Sequence, residues 1–312
     1  MSLPSPVTGL HHVTSITGAA QDTLDWYGTR LGLRLVKQTV NFDDPSSYHL
    51  YFADGQTRPG SFLTFFPVAG ARQGQVGAGQ TTATAYAVPE GALADWADAL
   101  TEADEPFREG ERFGEKTLTL RDPWGLVYDL IETPEADGAW DGSPVPTDRG
   151  LGAFHSVTLC SHRPEATALV LTSAYGYEEH GQEGDRLRLV NKAADRARYI
   201  DLFCDGADPG RGGAGTVHHI AFRVPSDEAE LEVRERLIGI GLQPTEVRDR
   251  QYFRSVYARE PGGVLFEVAT DPPGFALDEP EDRLGEALKL PPQYEAQRDR
   301  IEAALPALQR PY

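Results

Sequence analysis

Residues Gly215–Pro225 read "GTVHHIAFRVP". A strand sends successive side chains to opposite faces. His218, Ile220, Phe222 and Val224 therefore share an apolar face suited to packing under helices, while His219, Ala221 and Arg223 face a solvated cavity. Downstream, "SDEAELEVRERLIGIG" reads as a helix, and "EVRDR", "RSVYARE" and "GGVLFEVAT" read as three strands. In the last of them Val264, Phe266 and Val268 take the helix-packed face, which leaves Leu265, Glu267 and Ala269 on the cavity side with His219. The pattern is strand, helix, then three strands.

That pattern recurs, and repeats are the strongest guide to architecture a single sequence offers. "LHHVTSITG" opens a first copy, followed by the helix-like "AAQDTLDWYGTRLGL" and the strand-like "LRLVKQTVNF", "YHLYFAD" and "GSFLTFFPV". A second begins at "TTATAYAVP" and ends with "KTLTLRDPWGLVYDLIE". A third begins at "AFHSVTLC" and ends with "RARYIDLFC". The paired slot holds His11-His12, Thr82-Ala83, His155-Ser156 and His218-His219 in turn, and the last-strand slot holds Thr64 (to within a residue), Asp129, Asp201 and Glu267. Only the first and fourth copies carry an imidazole in the second position of the pair.

The expected fold is α+β: four β-α-β-β-β units in two halves, whose curved mixed sheets form cavities. The halves are read as residues 1–136 (units one and two) and 151–272 (units three and four), with a Pro-, Gly- and Asp-rich linker at 137–150 and a C-terminal extension at 273–312. Units one and four should share a metal cavity through His12, His219 and Glu267, and units two and three should form a metal-free one. Two imidazoles and one carboxylate are the ligand set that leaves one side of an octahedral ion open. His11 and His218 either orient those ligands or face the helices. His49 lies beside the cavity or in packing, Thr14 shares the face of His12, and His162 and His180 read as surface residues.

Composition narrows the function. With 312 residues, 40% of them hydrophobic, the chain can bury a large core. No apolar run approaches the roughly 18 residues a membrane helix needs, and the N-terminal residues lack a signal-peptide pattern. A net charge of −19 repels phosphates and argues against nucleic acid. Two cysteines, Cys160 and Cys204, argue against a disulfide framework, so a reducing cytoplasm is expected.

Taken together, "LHHVTSITG", "YHLYFAD", "PGSFLTFFP", "VHHIAFRVP", "PGGVLFE" and the tail "GFALDEPEDRLGEALKLPPQYE" resemble the vicinal-oxygen-chelate superfamily. Among its members the likeness is to ring-cleaving dioxygenases that act on hydroquinones. The resemblance spans nearly the whole chain. It implies Fe(II), with Mn(II) as the other option, held by His12, His219 and Glu267. It also implies a small aromatic diol and O2 as substrates, and it places Tyr257 and Arg250 near the substrate. Tyr257, His218 and Arg250 are the expected catalytic residues; His11, Thr14 and His49 are the expected substrate contacts. A homo-oligomer is expected. The alternatives are a glyoxalase-like isomerase or lyase, which would want a second carboxylate at the slot Thr64 fills, a catechol-cleaving enzyme, and a non-catalytic binding protein.

Overall fold

The structure is a computed structural model that describes residues 4–134, 136–204 and 206–311. The four copies are visible in the order of elements. Unit one is β1 (Leu10–Thr17), α1 (Ala20–Asp25), β2 (Arg34–Asn41), β3 (Asp44–Ala53) and β4 (Phe62–Pro67). Unit two is β5 (Gln80–Val88), α2 (Ala92–Glu102), β6 (Phe107–Arg112), β7 (Glu115–Arg121) and β8 (Val127–Glu132). Unit three is β9 (Phe154–Cys160), α3 (Pro164–Ser173), β10 (Glu178–Glu183), β11 (Arg186–Val190) and β12 (Tyr199–Leu202). Unit four is β13 (Thr216–Val224), α4 (Asp227–Gly239), β14 (Arg248–Asp249), β15 (Arg254–Arg259) and β16 (Leu265–Thr270).

Units one and four build one eight-stranded sheet, in the order β14-β15-β16-β13-β1-β4-β3-β2. Units two and three build the other, in the order β10-β11-β12-β9-β5-β8-β7-β6. Each sheet is therefore closed by an antiparallel seam, β1 on β13 or β5 on β9, with a parallel neighbour outside each seam strand. The pairing of first with fourth and second with third unit is the one expected from the His slots.

The seams carry a feature that alternation does not reveal. In each seam strand one residue is skipped by the register: His11 in β1, His218 in β13, Thr82 in β5 and His155 in β9. All four are the first residue of the paired slot. A bulge of this kind leaves one residue unpaired and re-aims its side chain. Hence His218 does not join Ile220, Phe222 and Val224 under the helices; those three are fully buried, whereas His218 is exposed at the cavity edge.

Two glycines let the His strands start where they do. Gly9 has φ +99°, and a Cβ there would come within 2.8 Å of the Arg196 carbonyl oxygen. Gly215 has φ +83°, and a Cβ there would lie 2.0 Å from the carbonyl oxygen of Trp124. Both positions combine left-handed backbone with close approach, which only glycine tolerates without strain. Helix α4 begins at Ser226, whose side chain accepts from the Ala229 N–H as an N-cap. Between the sheets, Tyr175 at the end of α3 stacks on Phe222, centroids 4.1 Å apart, and meets Phe266 edge-on, so unit three helps to fill the core under unit four.

The C-terminal segment runs along β2, the edge strand of the first sheet. The Lys289 N–H donates to the Gln38 carbonyl, and the Gln38 side chain donates to the Gly285 carbonyl. Lys37 is fully buried there, its Nζ 2.6 Å from Asp278 Oδ1 and 2.5 Å from Glu279 Oε2. The extension thus covers an edge that would otherwise expose unpaired backbone groups.

The cysteine expectation is corrected. Cys160, at the end of β9, is bonded to Cys204, two residues past β12, with Cα atoms 4.5 Å apart. These strands are parallel neighbours, so their ends meet although the cysteines are 44 residues apart in sequence. Cysteine content therefore carries no argument for a reducing compartment. No helix of the described residues is long and apolar enough to cross a membrane.

Two outcomes test this packing. Lys37→Ala strands two carboxylates beside a buried site and should cost about 3–5 kcal/mol in urea unfolding. A loss under 1 kcal/mol would show that the tail is not anchored there. Glu230, in the first turn of α4, is 1% exposed, and neither of its carboxylate oxygens has a partner among the described residues. Burial, with Asp227 adding to it, pushes its pKa up to about 7. The unfolded carboxyl titrates near 4.3, so the folded state holds the proton longer and loses stability as pH rises from about 4.3 to about 7. Glu230→Gln, which mimics the protonated acid, should match the parent at pH 4 and exceed its melting temperature at pH 8; a constant difference would remove Glu230 as the cause.

Candidate metal centre and cavity

His12 lies in β1, His219 in β13 and Glu267 in β16, three consecutive strands of the first sheet. The seam register sets Thr14 against His219, and the parallel pairing sets Ala221 against Glu267. The acid thus sits beside the residue two places beyond the His on the neighbouring strand. The same offset holds in all four units: Thr14 against Thr64, Ala85 against Asp129, Thr158 against Asp201, Ala221 against Glu267. One geometric slot has been filled four ways.

In the first sheet the slots converge. His12 Nε2 is 3.1 Å from His219 Nε2 and 3.3 Å from Glu267 Oε2, and His219 Nε2 is 2.8 Å from the same oxygen. Bonds of about 2.1 Å at right angles around one ion would set cis ligand atoms about 3 Å apart. All three residues are buried. Glu267 Oε2 makes no hydrogen bond among the described residues, although it is fully buried. A buried carboxylate oxygen without a donor is costly unless something else compensates it, and a divalent cation does. The donor set and the orphaned oxygen fit a metal ion.

The neighbours fix these groups from behind. His11 Nδ1 lies 2.9 Å from His12 Nδ1, and His218 Nδ1 lies 2.8 Å from His219 Nδ1. With Nδ1 engaged, each Nε2 is free to turn its lone pair inward. The bulges make both contacts possible by turning the first ring of each pair beside the second. Ser255 donates to Glu267 Oε1, which leaves Oε2 facing the imidazoles. Burial would raise the Glu267 pKa, but the His12 and His219 rings outweigh it and hold the carboxyl well below the usual range. Burial lowers the His219 pKa, against the pull of Glu267.

A cavity of about 370 Å3 opens over this centre. His12, His219 and Glu267 form its floor, and His49, Tyr51, Phe253, Arg250, Tyr257 and His218 are among its walls. Tyr257 sits opposite Glu267 on β15, its ring edge-on to His219 with centroids 5.8 Å apart. Arg250 Nε donates to Tyr257 Oη at 3.1 Å, and its Nη2 donates to Asp43 Oδ2 at 3.2 Å. Burial raises the Tyr257 pKa, with Glu267 adding to it, so the phenol keeps its proton.

Two expected substrate contacts stand elsewhere. His11 is 1% exposed, packed on Phe62 and Phe253, and reaches the cavity only through His12. Thr14 is fully buried and hydrogen-bonds Thr64, which bonds His49. His49 does line the cavity. Sequence reading missed Ser255, Tyr51 and Phe253. Ser255 was discoverable, since hairpin pairing places it on the strand beside Glu267; Tyr51 shares the strand and face of His49.

The second sheet fills the matching slots differently. Asp129 pairs with Arg112 at 2.7 Å, and Asp201 pairs with Arg188 at 2.7 Å and Arg186 at 3.3 Å. His155 reaches Glu115 at 3.0 Å instead of an adjoining imidazole.

Residues 9–130 match the model of the glyoxalase/bleomycin resistance protein/dioxygenase superfamily. MhqO of Bacillus subtilis (strain 168), by name a ring-cleaving dioxygenase, is 47% identical over 298 residues, 95% of either chain. The chain belongs to this superfamily. Chlorohydroquinone/hydroquinone 1,2-dioxygenase of Sphingobium indicum is 37% identical over 314 residues, covering 96% of this chain and 97% of its own. A dioxygenase crystal structure from Bacillus subtilis superposes with a TM-score of 0.93 at 46% identity, covering 98% of both chains. Glyoxalase I from Zea mays, at 15% identity and a TM-score of 0.60 over 84% of this chain and 92% of its own, shares the fold. By this kinship the chain is an enzyme of the ring-cleaving dioxygenase kind.

Ser255→Ala should leave the sheet intact and weaken divalent-metal binding by roughly 10- to 100-fold. Competition against a chromophoric chelator reads this directly, and an unchanged affinity would refute the anchoring role.

Proposed function

We propose that this enzyme is an Fe(II)-dependent dioxygenase that opens the ring of a hydroquinone-type diol with O2. The observation that carries the reading is the convergence of His12, His219 and Glu267 at the base of a cavity walled by aromatic rings and phenols. Iron held by His12, His219 and Glu267 would lower the pKa of a substrate hydroxyl and supply the redox chemistry that reaction with O2 needs. The chain's own residues do the rest. Phe253 and Phe66 line the cavity and offer apolar ring surface to an aromatic substrate. Arg250 holds the Tyr257 oxygen as an acceptor, so the Tyr257 O–H points its proton to a substrate oxygen. The Arg250 guanidinium, fixed by Asp43, also stabilises negative charge on the substrate oxygens. His218, at the cavity edge and joined to His219, is placed to take or return a proton on the solvent side.

The isomerase alternative fares worse on one observation. Its second carboxylate would have to come from the slot that Thr64 fills, and Thr64 Oγ1 is already committed to Thr14 at 2.7 Å and His49 at 2.9 Å. The relative named for ring cleavage supports the dioxygenase reading, and the one named a hydroquinone 1,2-dioxygenase supports the substrate class.

The test is anaerobic loading with Fe(II) or Mn(II), then oxygen uptake over a panel of hydroquinones, catechols and methylglyoxal–glutathione adduct. Uptake of one O2 per hydroquinone, lost with bound metal in His219→Ala, is the expected result. Tyr257→Phe should keep its metal and turn over roughly 10- to 1000-fold more slowly. Isomerisation of the adduct without oxygen uptake, or stoichiometric metal in His219→Ala, would overturn the proposal.

A further inference from the structure

Tyr51 lines the cavity that opens over His12, His219 and Glu267. It ends a chain of hydrogen bonds that runs away from the metal centre: Tyr51 Oη to His49 Nδ1 at 2.9 Å, His49 Nε2 to Thr64 Oγ1 at 2.9 Å, and Thr64 Oγ1 to Thr14 Oγ1 at 2.7 Å. The chain has two possible directions, and buried donors choose between them. If Tyr51 donated to His49, protons would point toward Thr14. The Thr14 hydroxyl, fully buried and bonded only to Thr64 among the described residues, would then donate to nothing. Reversed, every donor along the chain has an acceptor. Thr14 donates to Thr64, Thr64 donates to His49 Nε2, and His49 Nδ1–H donates to the Tyr51 oxygen. The one donor left over is the Tyr51 O–H, on a side chain that lines the cavity.

Resting on the dioxygenase reading above, we infer that Tyr51 is a substrate-binding residue whose O–H donates to the second oxygen of the diol, the one not held at the His12–His219–Glu267 centre. His49 is its positioning residue, locked as the Nδ1–H tautomer by Thr64. The arrangement repeats the logic of Tyr257, whose oxygen is likewise occupied as an acceptor by Arg250. Two phenols, each with its oxygen engaged from behind, present two O–H groups to one cavity. Burial holds Tyr51 protonated, with Tyr257 and Glu267 adding to it, and burial keeps His49 neutral, with His12 next. Thr64 thereby gains a role: the slot that could have supplied a fourth ligand instead sets the direction of this chain.

A cavity built to meet a hydroxyl discriminates strongly against an analogue that lacks it. The experiment measures calorimetric binding of hydroquinone and of phenol to Zn(II)-substituted enzyme under argon, where no turnover occurs. Wild type should prefer hydroquinone. Tyr51→Phe should cut that preference about tenfold, the worth of one hydrogen bond, while phenol affinity and zinc content stay within about twofold of wild type. Side-chain 15N NMR of the unsubstituted protein, with His49 assigned by its loss in His49→Gln, should show the Nδ1–H tautomer. An unchanged hydroquinone-to-phenol ratio in Tyr51→Phe, or an Nε2–H tautomer at His49, would overturn this inference alone. Wild type that fails to bind hydroquinone would overturn it together with the proposed substrate.

Discussion

One unpaired residue in each seam strand governs this molecule. Were β1 and β13 regular, the two rings of each His-His pair would point to opposite faces, and the first could not touch the second. The bulges at His11 and His218 turn those rings sideways so that Nδ1 meets Nδ1. Ligand orientation, the inward aim of both Nε2 atoms and the exposure of His218 at the cavity edge follow from that local irregularity. The bulge persists at Thr82 and His155, where no ligand pair depends on it, so it belongs to the architecture of the seam and was available for chemistry.

Charge compensation explains how one scaffold gives two different interiors. A carboxylate in the last-strand slot is buried whichever sheet it occupies: Asp129 is 2% exposed, Asp201 and Glu267 are fully buried. Each needs a positive partner. In the second sheet the partners are guanidinium groups on the outer strands, Arg112, Arg186 and Arg188, and Glu115 is brought down to about 2 by His155 and Arg188 against the effect of burial. In the first sheet no guanidinium among the described residues pairs with Glu267, and its Oε2 faces the imidazoles of His12 and His219. The presence or absence of an arginine on the outer strands separates a self-neutralised cavity from one whose donor set fits a cation.

The sequence revealed most of this because the repeat is a matter of period and slot, and both are written along the chain. Element order, the sharing of sheets between outer and inner units, and the trio His12, His219 and Glu267 could be read from alternation. Alternation failed where the backbone departs from it, so it put His218 under the helices. It also could not see depth: Thr14 shares the face of His12 but is roofed by Thr64 and His49. The meeting of Cys160 with Cys204 depends on the parallel pairing of the first and last strands of unit three, 44 residues apart, and nothing in local pattern records it.

The sheet that holds the candidate metal centre is assembled from the two ends of the coding order. His12 and His219 are separated by 207 residues. At synthesis rates of about 5–20 residues per second, the first histidine waits roughly 10–40 s for the second. Throughout that interval the inner edge of β1 lacks its partner, an open strand edge of the kind that invites pairing with another chain. Contacts of such long sequence separation also slow folding. The enzyme's vulnerable period is thus set by its topology: completion of the His12–His219–Glu267 cluster and protection of the seam arrive together, late in the birth of the chain.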